Sequence, residues 1–350
     1  MPKSTKSGAA PAKAARAEAT GSAKSARGPA QSGAAQSGAI QSGAIQSGDG
    51  QSGSGQSGSG QSGSAQTTAG SSERSAVAVA ERTRLAVRKT YKLYIGGKFP
   101  RSESGRTYLV DGDNAALASR KDARDAVVAA RAAQPKWAGA TAYNRGQVLY
   151  RIAEMIEARR AEFVALGVSA AEVDAAIDRW VWYAGWSDKI AQVAGGANPV
   201  AGPFFNISAP EPTGVVGVIA PQSLLGLVSV LAPAVVTGNA VVVVAANPQV
   251  AITLAEVLAT SDVPGGVVNL LTGRAAEIAP WLASHADVNA LDLTGVDDPQ
   301  LATELERSAA GTLKRVLRPP AGGVDFTADP GLHPMTALLE TKTVWHPKGF

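Results

Sequence analysis

The sequence predicts an α/β fold built on a doubly wound parallel sheet and preceded by a low-complexity tail. Three observations carry this reading. Four short apolar runs, GVVGVIAP (214–221), NAVVVVAA (239–246), VVNLLTG (267–273) and VNALDLTG (288–295), lack the alternation of a half-exposed strand and read as strands buried on both faces. Helical segments separate the runs: LGLVSVLAPAVVTG (225–238), PQVAITLAEVLAT (248–260) and AAEIAPWLASH (275–285). The first 75 residues, by contrast, show no apolar periodicity.

The tail, residues 1–75, opens with thirty residues dominated by Ala, Lys, Ser and Gly. Residues 31–65 follow as seven five-residue units, each beginning Gln-Ser-Gly. Such a segment buries too little apolar surface to offset the entropy of ordering it, and it is expected to be disordered. It holds the whole net charge of +4, so the pI near 9.3 describes the tail and not a basic folded surface. Nucleic-acid binding is not expected, because no aromatic residue in the tail could stack on a base.

Residues 76–318 are expected to form the main domain and residues 319–350 a linker followed by a terminal strand. AVAVAERTRLAVRKT (76–90) reads as a short helix. KLYIGGKF (92–99) reads as a hairpin turning at Gly96-Gly97. SRKDARDAVVAARAAQPKW (119–137) reads as a helix capped by Ser119 and stopping at Pro135. Residues 142–168 read as one long amphipathic helix, with Leu149, Ile152, Ile156 and Phe163 inward and Arg151, Glu154, Arg159 and Arg160 outward. Residues 169–196 read as a further helix in which Ser169 and Glu172 have capping-box spacing. Its Trp180, Trp182, Tyr183 and Trp186 are expected to pack against the sheet.

The chain has no cysteine, which excludes thiolate catalysis and thiolate metal sites. The apolar stretch 213–246 is broken by Pro221, Pro233 and Gly238, so no membrane span is expected. The N-terminus lacks the apolar core of a signal peptide, and a cytoplasmic location is the expectation. His285, His333 and His346 show no metal-ligand spacing. Asp287 and Asp292, flanking the last strand, are expected to be a helix cap and a strand-end residue.

Open parallel sheets bind ligands beyond the carboxyl ends of their strands. The informative residues are therefore Pro221, Gln222 and Ser223 after the first strand, Ala245, Ala246 and Asn247 after the second, Gly273 after the third, and Thr294, Gly295 and Val296 after the fourth.

KLYIGGKF, NRGQVLYRIAEMIEARRAEF, WYAGWSDKI, PTGVVGVIAP, LAPAVVTGNAVVVV, VPGGVVNLLTG and LDLTG occur in this order and resemble the N-terminal, NAD-binding half of the aldehyde dehydrogenase superfamily. The resemblance covers about residues 91–318. It implies a variant Rossmann domain, NAD or NADP as cofactor, an oligomerisation hairpin, and oxidation of an aldehyde through a cysteine thiohemiacetal.

The same resemblance exposes departures. Ser223 stands where the family has the Asn that stabilises the oxyanion, a donor whose loss typically costs about 2.7–4 kcal/mol in the transition state. Val244 and Asn247 stand where the family has the Lys and Glu that contact the adenosine ribose. In the loop beginning Thr294-Gly295, Val296 replaces a Ser, Gln300 replaces a Gly, and Asp297 adds a charge that repels phosphate. After residue 319 the family's general-base Glu and nucleophilic Cys are missing, and LLETKTVW (338–345) resembles its terminal strand. An internal deletion that keeps both ends accounts for this. No catalytic residue is therefore assigned, and Ile219, Pro221, Ser223, Asn247, Gly273, Thr294 and Gly295 form a vestigial cofactor site. The expected role is that of a pseudoenzyme, pairing with an intact aldehyde dehydrogenase or with itself. A nucleotide-binding accessory chain is the first alternative, and a tether to nucleic acid or an anionic surface through the tail is the second.

Overall fold

The structure is a computed structural model that describes residues 87–349. The predicted disordered tail (1–75) and most of the predicted helix at 76–90 lie outside the described residues. Of that helix, residues 87–89 are irregular and Thr90–Tyr91 form strand β1, because they pair with the chain at Asn114 and Ala115. β2 (Thr107–Val110) and β3 (Asp113–Ala116) complete this small three-stranded sheet.

Five helices follow: α1 (Arg120–Ala138), α2 (Ala142–Ala158), α3 (Arg160–Ala165), α4 (Ala170–Trp186) and α5 (Ile190–Ala194). Ser119 caps α1, and a reciprocal bond from its own amide to Asp122 makes a full capping box. Pro135 does not end this helix. It lacks only its own N–H, and its carbonyl still accepts from Gly139 at 3.0 Å, so the turn closes three residues later. The single helix expected over 142–168 breaks at Arg159, whose φ of −108° and ψ of 15° are not helical. Leu149, Ile152, Ile156 and Phe163 are nevertheless fully buried, as the spacing predicts. The segment 169–196 is also shorter than expected: α4 stops at Trp186, and Gly196 already belongs to a strand.

That strand, β4 (Gly196–Asn198), pairs with β5 (Phe204–Pro212). The core then alternates β6 (Val215–Ala220), α6 (Leu224–Val236), β7 (Ala240–Ala245), α7 (Pro248–Ala259), β8 (Val268–Thr272), α8 (Ala275–Ser284), β9 (Ala290–Asp292), α9 (Pro299–Ala310) and β10 (Arg315–Leu317). A connector containing α10 (His333–Thr336) leads to β11 (Leu339–Pro347). β11 runs antiparallel to β5 over nine residue pairs, and so gives the third sheet the order β11-β5-β4.

The central sheet has the order β10-β9-β6-β7-β8, and every pairing in it is parallel. Successive residues of one strand feed opposite layers: Val241, Val243 and Ala245 join one apolar cluster, Val242 and Val244 the other. Helices α6 and α7 cover one face, with α2 and α4 behind them; α1 and α8 cover the other. Each fully buried Val or Leu contributes about 1.5–3 kcal/mol, so this two-sided burial is the main source of stability. Trp180 and Tyr183 are fully buried, but against α2 and α6 instead of the sheet, because α4 lies in the outer helical layer.

The hairpin at 92–99 forms as predicted. Gly96 and Gly97 take φ of 61° and 78°, and the Ile95 and Lys98 backbones exchange hydrogen bonds. It docks on the edge of the central sheet. Tyr94 pairs with Leu270 at the open edge of β8, the Gly96 amide donates to the Asn269 side chain at 2.9 Å, and Leu93 and Tyr94 are buried. A Cβ on Gly97 would stand 2.9 Å from the Gly265 backbone, so only glycine permits this approach.

Candidate functional site

The sheet brings the predicted residues to one end. The strand order reverses between β6 and β9, and ligands of doubly wound sheets bind at such a reversal. Pro221 and Ser223 follow β6, Asn247 follows β7, Gly273 follows β8, and Thr294 and Gly295 follow β9.

The reversal is closed by main chain. The Gly295 amide donates to the Ile219 carbonyl at 2.8 Å, and a Cβ on Gly295 would lie 2.3 Å from the carbonyl carbon of Ala220. Thr294 turns back on β9: its amide and hydroxyl both donate to one oxygen of Asp292, at 2.9 and 2.5 Å. Ser223 is the N-cap of α6, accepting from the Gly226 amide at 3.0 Å, and Asn247 is the N-cap of α7, accepting from the Val250 amide at 3.2 Å. Both side-chain oxygens are thus engaged by their own helices. Ile219 and Val244 are buried in the core.

Two further acidic groups occupy helix starts. Glu172 does not return to its own cap, so the capping box at Ser169 is only half formed. Its carboxylate accepts instead from the Leu225 amide at 3.2 Å, in the first turn of α6. Asp298 caps α9 through the Gln300 amide at 2.8 Å, and Pro299 removes one of the remaining donors. Asp287 caps no helix: its carbonyl accepts from Arg131, and its amide donates to the His285 ring. Asp292 does end a strand, but it is 5% exposed, and burial raises its pKa against the opposing effect of the two Thr294 bonds.

A dinucleotide needs a ribose reader after β7 and free amides for its pyrophosphate at α9. Here the reader positions hold a core valine and a capping asparagine, and Asp297 adds a negative charge just before α9. The hollow beside Gly273, bounded by Tyr108, Ala246 and Arg274, measures 230 Å³, below the ~300 Å³ at which small-molecule sites begin. The Ser223 and Asn247 oxygens are thus engaged by the chain's own helix starts, and Val244 lies in the core.

A larger cavity lies elsewhere. It measures 660 Å³ and is lined by α4, α6, the ends of β9 and β10, and the connector after β10. Arg179 on α4 holds that connector by donating to the carbonyls of Phe326 at 2.7 Å and Ala328 at 2.9 Å. The Phe326 ring packs against the first turn of α6, where a Cβ on Gly226 would be 3.2 Å from it, and Met335 and Leu338 are buried beneath. Residues 320–338 thereby cover the apolar face of α6. Burial pushes the Tyr183 phenol up; the nearby Arg179 charge offsets part of this, although the hydroxyl has no hydrogen-bond partner of proper geometry. Nothing in the sequence signals this cavity, since its polar walls, Arg179 and Asp292, are 113 positions apart and fit no motif.

Residues 112–322 match the aldehyde dehydrogenase family. The chain is 31% identical over 261 residues to the cytosolic aldehyde dehydrogenase 1 of Elephantulus edwardii, covering 68% of this chain and 51% of that protein. Among solved structures it is similar to HpcC from Thermus thermophilus, with 30% identity, a TM-score of 0.59 and coverage of 65% of this chain and 47% of that one. It is also similar to an aldehyde dehydrogenase from Bacillus cereus solved as an NAD+ complex, with 26% identity, a TM-score of 0.60 and coverage of 65% and 50%. The matched region spans from about a quarter to about half of the length of the curated relatives it matches.

Proposed function

The chain belongs to the aldehyde dehydrogenase family, and from that premise we propose that it is a non-catalytic member that pairs with another chain of the same fold through the β11-β5-β4 sheet. The carrying observation is β11 itself. It is nine residues long, one side is paired to β5, and its other edge has no partner among the described residues. Phe205, Ile207, Val344 and Trp345 stand exposed on this sheet at 45–58%. An open edge with apolar flanks is a template for adding a strand from a second chain.

Three features support the loss of catalysis. The chain has no cysteine. Ser223 stands in the family's oxyanion position with a side chain shorter than asparagine's, and its oxygen caps α6. The helix starts and the residue positions that would hold NAD+, the cofactor of the Bacillus cereus relative, are occupied by the chain's own side chains. The preferred partner is an aldehyde dehydrogenase that keeps its own cysteine; a second copy of this chain is the other occupant the same edge would accept.

The test is co-expression with such an enzyme, followed by sedimentation of the purified material, alongside calorimetric titration with NAD+ and NADP+. A stable hetero-oligomer, with no cofactor heat from the chain alone at millimolar concentration, is the expected result. A monomer that co-purifies with nothing overturns the pairing. Saturable micromolar cofactor binding overturns the vestigial reading of the site and makes the chain a nucleotide-binding accessory.

A further inference from the structure

The 660 Å³ cavity has the volume of a small-molecule site, and such sites are mostly apolar with a few polar groups. Its apolar walls come from Val230 and Pro233 on α6, Val316 on β10, and Pro320, Val324 and Phe326 on the connector. Two charged side chains in its lining are more than nine-tenths buried: Arg179, 9% exposed, and Asp292, 5% exposed. Two more arginines at the rim are already neutralised, Arg315 by Glu340 at 2.9 Å and Arg318 by Glu306 at 3.0 Å. Asp325 and Asp329 are engaged in local turns, through Thr327 and Gly331.

Arg179 differs from these. One of its terminal nitrogens donates to two carbonyls, and it forms no ion pair with any described carboxylate. A buried guanidinium without a counter-charge is costly. Asp292 pairs with no cation among the described residues either; one of its oxygens accepts both Thr294 bonds, and burial raises its pKa. Ser229, on the α6 wall of the cavity, has a hydroxyl with no partner. The cavity thus sets the buried Arg179 guanidinium and the unpartnered Ser229 hydroxyl beside apolar walls.

We propose that this cavity is a binding site for a small monocarboxylic acid with an apolar body, its carboxylate held by Arg179. The inference stands independently of the pairing proposed above, because the cavity does not involve β4, β5 or the outer edge of β11.

Calorimetric titration of the full chain with hexanoate, hexan-1-ol and hexylamine tests it. The expected result is saturable hexanoate binding, with hexan-1-ol weaker by about tenfold or more. Arg179→Gln keeps an amide to donate to the Phe326 and Ala328 carbonyls but removes the charge. It is expected to weaken hexanoate about tenfold and to leave hexan-1-ol unchanged. Ser229→Leu, which fills the cavity from the α6 wall, is expected to abolish binding of both while thermal melting shows a folded protein. Hexylamine binding more tightly than hexanoate, with the gain lost in Asp292→Asn, overturns the carboxylate assignment. No saturable hexanoate binding by folded protein overturns the site.

Discussion

Gly295, directly after β9, donates its amide to the carbonyl of Ile219 in β6 at 2.8 Å, and its Cα faces the Ala220 carbonyl so closely that a Cβ would lie 2.3 Å from it. The contact is backbone on backbone, so no side chain can rotate away to make room. Gly295→Ala is therefore expected to lower stability by about 1–3 kcal/mol, read from urea denaturation of the full chain. Gly185→Ala in α4 is the control: a Cβ there meets nothing within 4 Å, and the change is expected to add about 0.5–1 kcal/mol through helix propensity. Equal and small effects from both would show that the sheet end is loosely held.

Ser223 and Asn247 are predicted to behave as caps and not as ligand contacts. Ser223→Ala and Asn247→Ala should each cost about 1 kcal/mol, and the aspartate versions, which keep an accepting oxygen, should cost much less. Glu172→Ala should add to the Ser223→Ala loss, because it strips the Leu225 amide of its acceptor in the same turn. If Ser223→Ala leaves the urea midpoint where it was, Ser223 is not contributing as a cap.

The central sheet was legible in the sequence because its strands are apolar on both faces. A run such as Ala240–Ala245 has no competing reading once turn residues bound it at both ends. The boundaries that failed were decided by bonds the sequence does not display. Pro135 looked like a stop, yet the following turn closes through the proline carbonyl. KLYIGGKF was legible as a hairpin but its docking was not, since Asn269, more than 170 positions later, captures its turn. The positions of the seven candidate site residues were legible too, because strand ends follow from strand assignments. Their engagement was not: that Ser223, Asn247 and Asp298 point their oxygens at their own helices depends on rotamers. Arg179 belongs to no sequence motif, and only the fold places the Phe326 and Ala328 carbonyls beside it.

Asp292 makes stability depend on pH with a definite sign. Its folded-state pKa is raised by burial, so the folded protein binds the proton more tightly than the unfolded chain does. The contribution is fully present below the unfolded carboxyl value of about 3.9 and is lost as pH rises through the higher folded value. Asp292→Asn cannot ionise and still offers an oxygen to Thr294. The stability of Asp292→Asn relative to the parent is expected to climb as pH rises from 4 through Asp292's folded pKa, then level off. Urea midpoints measured across that range decide it; parallel curves for the two proteins would mean that water reaches the carboxylate.

The connector is expected to depend on Arg179. Arg179→Ala removes both bonds to the Phe326 and Ala328 carbonyls and empties a buried position, and hydrogen bonds from charged donors contribute about 1.5–3 kcal/mol. Loss of stability of that order should be accompanied by new protease cleavage between residues 320 and 332, read by mass spectrometry of the full chain. Arg179→Gln should stay resistant there. Cleavage spread evenly over the domain would indicate global unfolding and not release of the connector.

The last prediction concerns the exposed sheet. Ile207 and Val344 are cross-strand partners, so their side chains lie on one face, while Trp345 packs edge-on to Phe204, 5.9 Å between ring centres, on the other. Charges at single positions therefore separate face packing from edge pairing. If a partner packs on the Ile207 face, Val344→Lys should break the complex and Trp345→Glu should not. If the partner adds a strand to the outer edge of β11, the main chain carries the contact, and either charge should only weaken it. A proline at Val344 or at Trp345, whichever amide faces away from β5, should then remove an edge donor and dissociate it. Sedimentation velocity on the variants, with melting curves to confirm that the parallel core is intact, distinguishes the two geometries. Sedimentation unchanged in every variant would place the interface on some other surface.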